Sequence, residues 1–279
     1  MIKTEIKVRD LEILISTMQR TSLSFLSEMF SENNFLDYNI LIVNQTSKDK
    51  ILTSNYTNIR VLNSFEKGLS RSRNLAIKNA KKSICLIADD DVKYVKGFEK
   101  IILSAFKKHQ KAAVITFQMV DDKNKLFVNY PHIVKHNKKT VSTVNSVVIA
   151  LQKQKIINQR VIFNKHFGLG ALFETGDEYV FLRTVLNANL DVFFEPQIIL
   201  SHGFYSSGKD VGSDRLVYAR SAIFYKYSGV LSYLKLCKHL FLIYKSKYIT
   251  IKEIFSKYGV GLRGIKKYKQ LLKQGVEKR

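Results

Sequence analysis

The first 120 residues alternate short apolar runs with segments of helical periodicity, and this order restricts the fold more than any other feature. Five runs rich in branched apolar residues predict buried strands at residues 11–16, 39–43, 59–62, 83–88 and 112–117. Three intervening segments have apolar residues three or four positions apart, which predicts helices at residues 23–30, 69–80 and 98–109. The βαβαβ order predicts a Rossmann-like α/β fold, with a mostly parallel sheet covered by helices on both faces.

The remaining chain divides near residue 212. Residues 143–151, 191–194 and 197–201 predict further strands, and residues 176–188 predict a helix. From about residue 213 the pattern is helical, basic and aromatic. We therefore expect one α/β domain over residues 1–212, with halves at about 1–120 and 121–212, and a basic helical extension over residues 213–279.

Three consecutive aspartates follow the fourth predicted strand, at the end where ligands bind in open parallel sheets. In an extended segment Asp89 and Asp91 would point to the same side, so they can bind one hard cation while Asp90 bonds to another group. Mg²⁺ or Mn²⁺ is commonly held by one or two carboxylates plus substrate phosphates. The alternative is a solvated acidic turn, although only Lys93 and Lys96 lie near enough in sequence to neutralise it.

A second candidate segment, Gly-Leu-Ser-Arg-Ser-Arg-Asn at residues 68–74, opens a predicted helix. Backbone N–H groups at a helix N-terminus, together with Arg71 and Arg73, suit a phosphate or a nucleotide. The alternative is a capped first turn in contact with solvent.

Two more segments carry candidate catalytic or ligand-binding groups. Asp177 and Glu178 follow a glycine-containing loop, where a carboxylate could act as general base or could simply complement the helix dipole. Residues 201–209 follow a strand, and there His202 could bind a metal or be structural. The loop around Ser207 and Lys209 could fold over a pyrophosphate.

The charge of the chain is unusual, with 46 Lys and Arg residues against 23 Asp and Glu residues and a net charge of +23. Residues 216–279 account for 15 − 2 = +13 of this excess. Such a charge indicates a polyanionic partner, namely nucleic acid, an anionic membrane or phosphorylated substrates. No nucleic-acid-binding motif is recognisable in the sequence.

The most apolar stretch, residues 230–244, is interrupted by charged residues and is too short for a membrane span. In a helix over residues 230–247, Lys235, Lys238 and Lys245 fall in one arc. Leu236, Leu240, Ile243 and Tyr244 lie away from that arc. This pattern predicts a helix that lies on an anionic membrane surface, and the alternative is an amphipathic helix packed on the α/β domain.

Neither a signal peptide nor a redox or metal-binding spacing of Cys85 and Cys237 is visible in the sequence. We therefore expect a reduced cytoplasmic protein that lies on the inner face of the cell membrane.

In combination and in order, these motifs resemble the family 2 glycosyltransferases of the GT-A fold, particularly those of bacterial capsule and exopolysaccharide assembly. The nucleotide half is carried by residues 11–17, by Ile-Val-Asn-Gln-Thr at 42–46, by the segment 68–76, and by Ile-Ala-Asp-Asp-Asp-Val at 87–92. The acceptor half is similar over residues 167–178 and 196–202. This sequence departs from the family pattern twice: Asn44 replaces the usual acidic residue, and the usual Glu-Asp pair is inverted to Asp177-Glu178.

The resemblance implies an inverting transfer of a sugar from a nucleotide diphosphate donor, preferably a UDP-sugar, to a hydroxyl of a lipid-linked or oligosaccharide acceptor. It implies that Glu178, with Asp177 as the substitute, is the catalytic base, and that Mn²⁺ or Mg²⁺ is bound by Asp91, Asp89 and His202. The implied donor-binding residues are Thr17, Asn44, Arg71, Arg73, Asn74, Asp89, Asp90, Ser207 and Lys209.

Two other functions remain open at this point. A nucleotidyltransferase also combines acidic metal ligands with a nucleotide-binding sheet, but it would release pyrophosphate rather than a nucleoside diphosphate. A non-catalytic nucleic-acid-binding protein would use the basic extension.

Overall fold

The computed structural model describes residues 10–203 and 210–278 of the 279-residue chain. The chain forms two compact units. The first unit comprises Met1–Phe163 and Phe181–Phe204, and the second comprises Asn164–Val180 and Tyr205–Arg279. The functional division predicted near residue 212 stays a prediction.

The described part of the first unit contains an eight-stranded sheet with the order β3-β2-β1-β4-β7-β6-β8-β5. Its strands are β1 (Leu11–Met18), β2 (Asn39–Gln45), β3 (Ile59–Ser64), β4 (Ile84–Asp89), β5 (Val92–Tyr94), β6 (Ala112–Val120), β7 (Ile149–Gln152) and β8 (Asp191–His202). Strands β3, β2, β1 and β4 are parallel to one another, and β6 is parallel to β8. Strand β7 is antiparallel to both β4 and β6, and the edge strand β5 is antiparallel to β8. The mostly parallel sheet predicted from the sequence is confirmed.

The helices that follow these strands are α1 (Phe25–Met29), α2 (Leu69–Asn79), α3 (Phe98–Lys108), α4 (Lys153–Asn158) and α5 (Asp177–Asn187). The central strands are buried on both faces, which explains why they appear in the sequence as continuous apolar runs rather than as alternating patterns. The three predicted helices of the first 120 residues and the helix predicted at residues 176–188 are therefore confirmed.

Two strand predictions were wrong in detail. Residues 143–151 begin at the end of one short 3₁₀ turn, Thr140–Thr143, and contain a second, Ser146–Val148, and only Ile149–Gln152 is a strand. Buried irregular segments need the same branched apolar side chains as strands, so composition did not separate the two.

The two short strands predicted around Pro196 form one strand, β8. Its register with β6 shifts there, because Thr116 pairs with Phe194 and Gln118 pairs with Ile198. Proline cannot donate a ladder hydrogen bond, and a bulge is a position where a strand tolerates it.

The second unit is built mainly from α6 (Asp214–Ser228), α7 (Ser232–Lys245) and α8 (Ile254–Lys273), as the predicted helical extension requires. Leu236, Leu240 and Ile243 on α7 are buried in a cluster with residues of α6 and α8. These leucine and isoleucine side chains were expected at a membrane, and the structure places them in the core instead. None of the helices in the described part of the chain has the length and apolar composition needed to cross a membrane.

Candidate active site

The parallel register of β1, β2 and β4 aligns several predicted site residues at the carboxyl edge of the sheet. Thr17 on β1 pairs with Asn44 on β2, and Ser16 on β1 pairs with Asp89 at the end of β4. Parallel strands end at one edge, so residues that are far apart in sequence meet there.

Asp90 is held by one residue near the end of β1 and by one just beyond it. The Thr17 hydroxyl donates to Asp90 Oδ2, and Arg20 Nε donates to the same oxygen at 2.7 Å. The Arg20 guanidinium also lies 5.2 Å from the centre of the Phe25 ring. Sequence reasoning missed Arg20, and its only signal was a basic residue just beyond the first strand.

Asn44 is fully buried and holds the backbone of Arg20. Its Oδ1 accepts from the Arg20 N–H at 3.1 Å, and its Nδ2 donates to the Arg20 carbonyl at 2.9 Å and to Asn63 Oδ1 at 3.1 Å. The amide thus uses both its donor and its acceptor atoms to position Arg20 beside Asp90. An aspartate at position 44 would lack the donor hydrogens for the two bonds made by Nδ2.

Arg73 is the largest of the almost fully buried side chains and contacts the first aspartate of the triplet. One of its terminal nitrogens donates to Asp89 at 2.9 Å and 3.2 Å and to the Ser146 hydroxyl at 2.9 Å. The guanidinium also lies 5.6 Å from the centre of the Phe163 ring. Sequence reasoning missed Ser146, since it belongs to a segment that was predicted to be an ordinary strand.

The other polar residues of α2 have different positions. Arg71 is exposed and bonds to Glu66 at 2.7 Å. Asn74 donates to the Phe163 carbonyl and accepts from the Phe163 N–H, both at 2.8 Å, so its amide is used within the fold. The helix begins after Gly68, whose φ of 123° is strained for other residues and whose N–H donates to the Gln45 side chain at 2.7 Å.

Asp91 faces His202, which lies at the end of β8. Their Oδ1 and Nε2 atoms are 3.4 Å apart, and the Asp91 side chain is 63% exposed. His202 Nδ1 lies 2.8 Å from the Gly203 carbonyl oxygen, and because that oxygen can only accept, Nδ1 carries a hydrogen. In a neutral ring Nε2 would then present a lone pair to the carboxylate, so this contact requires a second proton or a cation that both atoms bind.

The pKa shifts of Asp91 and His202 are those expected of a carboxylate paired with a protonated histidine. Hydrogen bonding to His202 lowers the pKa of Asp91, against the opposing effect of burial. The pKa of His202 is raised, first by its bond to Asp91 and also by the negative charge of Asp91 and Asp89. Each partner therefore favours the charged form of the other.

The local conformation of the aspartate triplet differs from the expectation. Asp90 and Asp91 form a turn between β4 and β5, so the alternation of an extended chain does not apply to them. The three carboxylates contact three different cationic or potentially cationic groups: Arg73, Arg20 and His202. Among the residues that the structure describes, no group of three or more His, Cys, Asp and Glu side chains is arranged to hold a metal ion.

The acidic pair lies in the second unit, at the start of α5. Asp177 is buried, and a Cβ atom at Gly168 would lie 3.0 Å from its side chain, so the glycine allows the loop to pass close by. Glu178 is partly exposed, and its charge acts on the half-buried guanidinium of Arg220. Burial lowers the pKa of Arg220, and the negative charge of Glu178 opposes that change. The two remaining predicted site residues, Ser207 and Lys209, lie outside the described residues.

The mixed sheet, with its helices and its acidic residues at the carboxyl ends of the strands, is a GT-A-like glycosyltransferase fold. The chain belongs to glycosyl transferase family 2, whose family model matches residues 14–190, more than half of its length.

Solved structures with this fold include S. aureus TarS 1–349, with a TM-score of 0.55 and 12% sequence identity. The match covers 96% of this chain and 93% of that chain. Crystal structures of the same TarS segment in complex with UDP and with UDP-GlcNAc each match with a TM-score of 0.54, the same identity and the same coverage. At this identity the likeness shows the fold alone. A comparison with curated protein sequences gives no match.

Proposed function

We propose that this protein is an inverting glycosyltransferase that moves a sugar from a nucleotide diphosphate donor to an acceptor hydroxyl in cell-surface polysaccharide synthesis of the capsule or exopolysaccharide type. The observation that carries the proposal is the arrangement of Asp89, Asp90 and Asp91 with Arg73 and Arg20 at the carboxyl edge of a family 2 sheet. A buried arginine beside carboxylates at this edge suits recognition of a phosphorylated ligand.

A UDP-sugar is the donor that we propose. In support, the structurally similar TarS segment has been crystallised with UDP and with UDP-GlcNAc. We assign Asp90 and Thr17 to contact the nucleoside, with Asn44 acting through Arg20, and Arg73 to orient Asp89. Arg71 and Asn74 on α2, and Ser207 and Lys209 beyond β8, complete the proposed donor-binding set.

The residues present fit a divalent cation. The Asp91 oxygen and the His202 nitrogen face each other. This contact is favourable only if the nitrogen carries a proton or if both atoms bind a cation, because the other ring nitrogen already carries a hydrogen. Cations at diphosphate sites are commonly held by one or two protein groups plus the phosphates, so a third protein ligand is not required. Asp89 keeps lone pairs beyond those used by Arg73 and can add to the set. Bound Mn²⁺ or Mg²⁺ would supply Lewis-acid stabilisation of the charge on the departing nucleoside diphosphate.

The acceptor reaction is assigned to the acidic pair of α5. As the acceptor oxygen forms its bond to the anomeric carbon, the bond to the diphosphate oxygen breaks on the opposite face, and Glu178 takes the hydroxyl proton. The negative charge of Glu178 interacts with the guanidinium of Arg220, which helps to position the carboxylate. Asp177, which is buried behind Gly168, is the alternative base.

The test is to incubate the protein with a panel of nucleotide sugars and Mn²⁺ and to measure the product released by donor hydrolysis or transfer. Release of a nucleoside diphosphate from one donor supports sugar transfer. A parallel incubation with nucleoside triphosphates and sugar 1-phosphates tests the alternative, since release of pyrophosphate there would instead identify a nucleotidyltransferase. Thermal stabilisation by the correct donor provides a second readout, because a bound ligand raises the apparent stability.

The acceptor is proposed to be lipid-linked, because α7 has an exposed face in which apolar and basic residues are mixed. Leu234, Phe241 and Leu242 are 69%, 59% and 47% exposed. Lys235, Lys238 and Lys245 share the same side of the helix, opposite the buried Leu236, Leu240 and Ile243. Further exposed apolar side chains flank the helix, at Val230, Leu231, Tyr248, Ile251 and Phe255.

This surface is proposed to place the protein on the anionic inner face of the cell membrane. Each basic residue near such a surface contributes about 1 kcal/mol, and the attraction weakens with salt, whereas apolar insertion resists salt. The protein should therefore sediment with anionic vesicles at low salt, release only partly at high salt, and ignore neutral vesicles. The double change Leu234→Gln and Phe241→Gln should make release by salt complete. The control pair Val134→Gln and Ile162→Gln, at exposed positions of the first unit, should leave binding unchanged.

A further inference from the structure

A cavity of about 420 Å³ opens on the second unit, and none of its lining residues is assigned to the reaction above. Its lining residues are Tyr233, Leu262, Lys266, Lys269, Gln270 and Lys273. Ligand sites commonly have roughly 300–1,000 Å³, so this cavity is large enough for a small polar group.

The lysines come together because of their spacing on α8. At 3.6 residues per turn, positions 262, 266, 269, 270 and 273 fall within one arc of about 100°. Tyr233 from the first turn of α7 closes the other side. The floor packs onto the core, since Tyr233 and Leu262 are partly buried against the apolar cluster formed by α6, α7 and α8.

The cavity is lined by positively charged side chains, and none of its lining residues carries a negative charge. Three of the six lining residues are lysines and none is acidic. Lys269 Nζ lies 5.8 Å from the centre of the Tyr225 ring, which orients its ammonium group without neutralising it.

The two acidic residues present between positions 216 and 279 are used elsewhere. Glu277 is buried and bonds to Lys226, Tyr268 and Asn164. Glu253 caps the turn at Thr250. Three ammonium groups on one helix face repel one another, so the site favours an anion that contacts all of them.

We propose that this cavity binds a phosphate-bearing group. A phosphate presents several acceptor oxygens and up to two negative charges, which match three ammonium groups and the Gln270 amide. Lys binds phosphate as a point charge and can reorient, whereas a carboxylate ligand would use fewer of the donors. The source of the group is either a lipid headgroup or a soluble phosphorylated compound.

A lipid headgroup is favoured by the position of Tyr233. This residue lies within a segment of exposed apolar side chains, between Leu231 and Leu234, which are 61% and 69% exposed. A phosphate held by the lysines would therefore have apolar surface next to it for a hydrocarbon chain. The lipid source rests on the proposed membrane role, whereas phosphate binding by the cavity does not.

The experiment compares two triple variants of the full chain with the same change in charge, from +23 to 23 − 3 = +20. The cavity variant is Lys266→Gln, Lys269→Gln and Lys273→Gln. The control variant is Lys100→Gln, Lys107→Gln and Lys111→Gln, at exposed positions on and after α3. Inorganic diphosphate is titrated calorimetrically in the presence of EDTA, which excludes metal-dependent binding. Vesicles containing phosphatidic acid and vesicles with phosphatidylglycerol are compared at equal surface charge.

The wild-type protein should bind diphosphate saturably, the cavity variant should lose at least about tenfold in affinity, and the control should change less than twofold. If the protein prefers phosphatidic acid and only the cavity variant loses that preference, the ligand is a lipid headgroup. If the cavity variant loses diphosphate binding while vesicle binding does not change, the ligand is a soluble phosphorylated compound. Equal losses in both variants, or no saturable binding by the wild type, would overturn the proposal. Nucleoside diphosphate release by the wild-type protein is measured separately, so a failure of the sugar-transfer assignment is distinguishable.

Discussion

Three adjacent aspartates in this chain have three different environments, and this division sets their chemistry. Asp89 accepts hydrogen bonds from the buried Arg73, and Asp90 accepts them from Thr17 and Arg20. Asp91 is largely exposed and faces His202. Only Asp91 therefore combines exposure with a neighbouring nitrogen ligand. At the residue scale, this makes Asp91 the first choice for a metal ligand, and it makes Asp89 and Asp90 candidates for donor recognition.

Replacement of Asp91 by Asn should remove the metal-dependent part of UDP binding while leaving the fold intact, because the side chain is exposed and lies in a turn. Titration of UDP with Mn²⁺ and again with EDTA measures this part as the difference between the two affinities. Asp37→Asn, in an exposed turn before β2, is the matched control and should keep the full metal effect. An unchanged metal effect in Asp91→Asn would refute the metal assignment.

Replacement of Glu178 by Gln should reduce sugar transfer by roughly 10²–10⁴-fold, the usual contribution of a general base. Donor affinity should change little, since the base acts on the acceptor hydroxyl. Steady-state rates and UDP affinity of the same preparation test both statements. Glu174→Gln, which alters a nearby carboxylate on the preceding loop, is the control. If Asp177→Asn loses activity while circular dichroism shows an intact fold and Glu178→Gln stays active, Asp177 is the base.

At the scale of elements, α8 combines helical structure with glycines that permit close packing. A Cβ atom at Gly264 would lie 2.2 Å from the Tyr218 carbonyl oxygen on α6, and one at Gly261 would lie 2.5 Å from Leu236 on α7. Glycine costs about 1 kcal/mol relative to alanine inside a helix, and here the close approach of neighbouring helices offsets that cost. The same helix supplies the lysines of the proposed phosphate cavity, so its packing also positions that site.

Gly264→Ala should therefore destabilise the protein by about 1–3 kcal/mol through overpacking against α6. Gly259→Ala is the matched control on the same helix, because its Cβ would meet only the flexible end of Arg263 at 3.9 Å. That variant should be stabilised by up to about 1 kcal/mol. Denaturant unfolding of both variants tests the pair, and equal effects would contradict the packing argument.

At the scale of the whole molecule, each compact unit holds a histidine whose pKa is lowered by burial: the buried His136 in the first unit and the half-buried His239 in the second. Burial lowers the pKa of His136 in the first unit to about 4, and Thr116 and Thr140 bond to its ring. Burial, together with the charge of Arg220, lowers the pKa of His239 in the second unit to about 4. Between about pH 4 and the ordinary histidine pKa near 6.5, the unfolded chain binds more protons than the folded one.

The free energy of unfolding should therefore decrease as the pH falls from 7 to 5. His136 alone should lower the free energy of unfolding by on the order of 2 kcal/mol at pH 5, since each unit of pKa difference between the folded and unfolded chain corresponds to about 1.4 kcal/mol. Urea unfolding at the two pH values and constant salt measures the difference. His136→Gln should reduce that difference, whatever its effect on stability at pH 7, whereas the exposed His132→Gln should leave it unchanged. A pH dependence that is the same in both variants would rule out His136 as a source.

The sequence alone determined five of the six strands described in the first 120 residues and the three helices there, the helix at Asp177 and the helical C-terminal region, because local apolar periodicity records which side chains are buried. It missed β5, which has only three residues and is too short to show a periodicity. It also determined the family, since the order of several short motifs is more specific than any one of them. Its errors at residues 143–151 and around Pro196 arose where buried irregular chain and a bulged strand have the composition of ordinary strands.

Only the tertiary structure decided which charges meet. Arg20 and His202 contact the aspartate triplet from 70 and 202 − 91 = 111 positions away, Ser146 contacts Arg73 from 73 positions away, and no local pattern records such pairings. The surroundings of α7 were also decided by the tertiary structure, because the periodicity of its leucines is the same whether they face lipid or protein. The fold turned Leu236 and Leu240 to the core and left Leu234 exposed, because neighbouring helices cover one side of α7. Burial and electrostatic pairing depend on contacts that are distant in sequence, and the folded chain alone defines them.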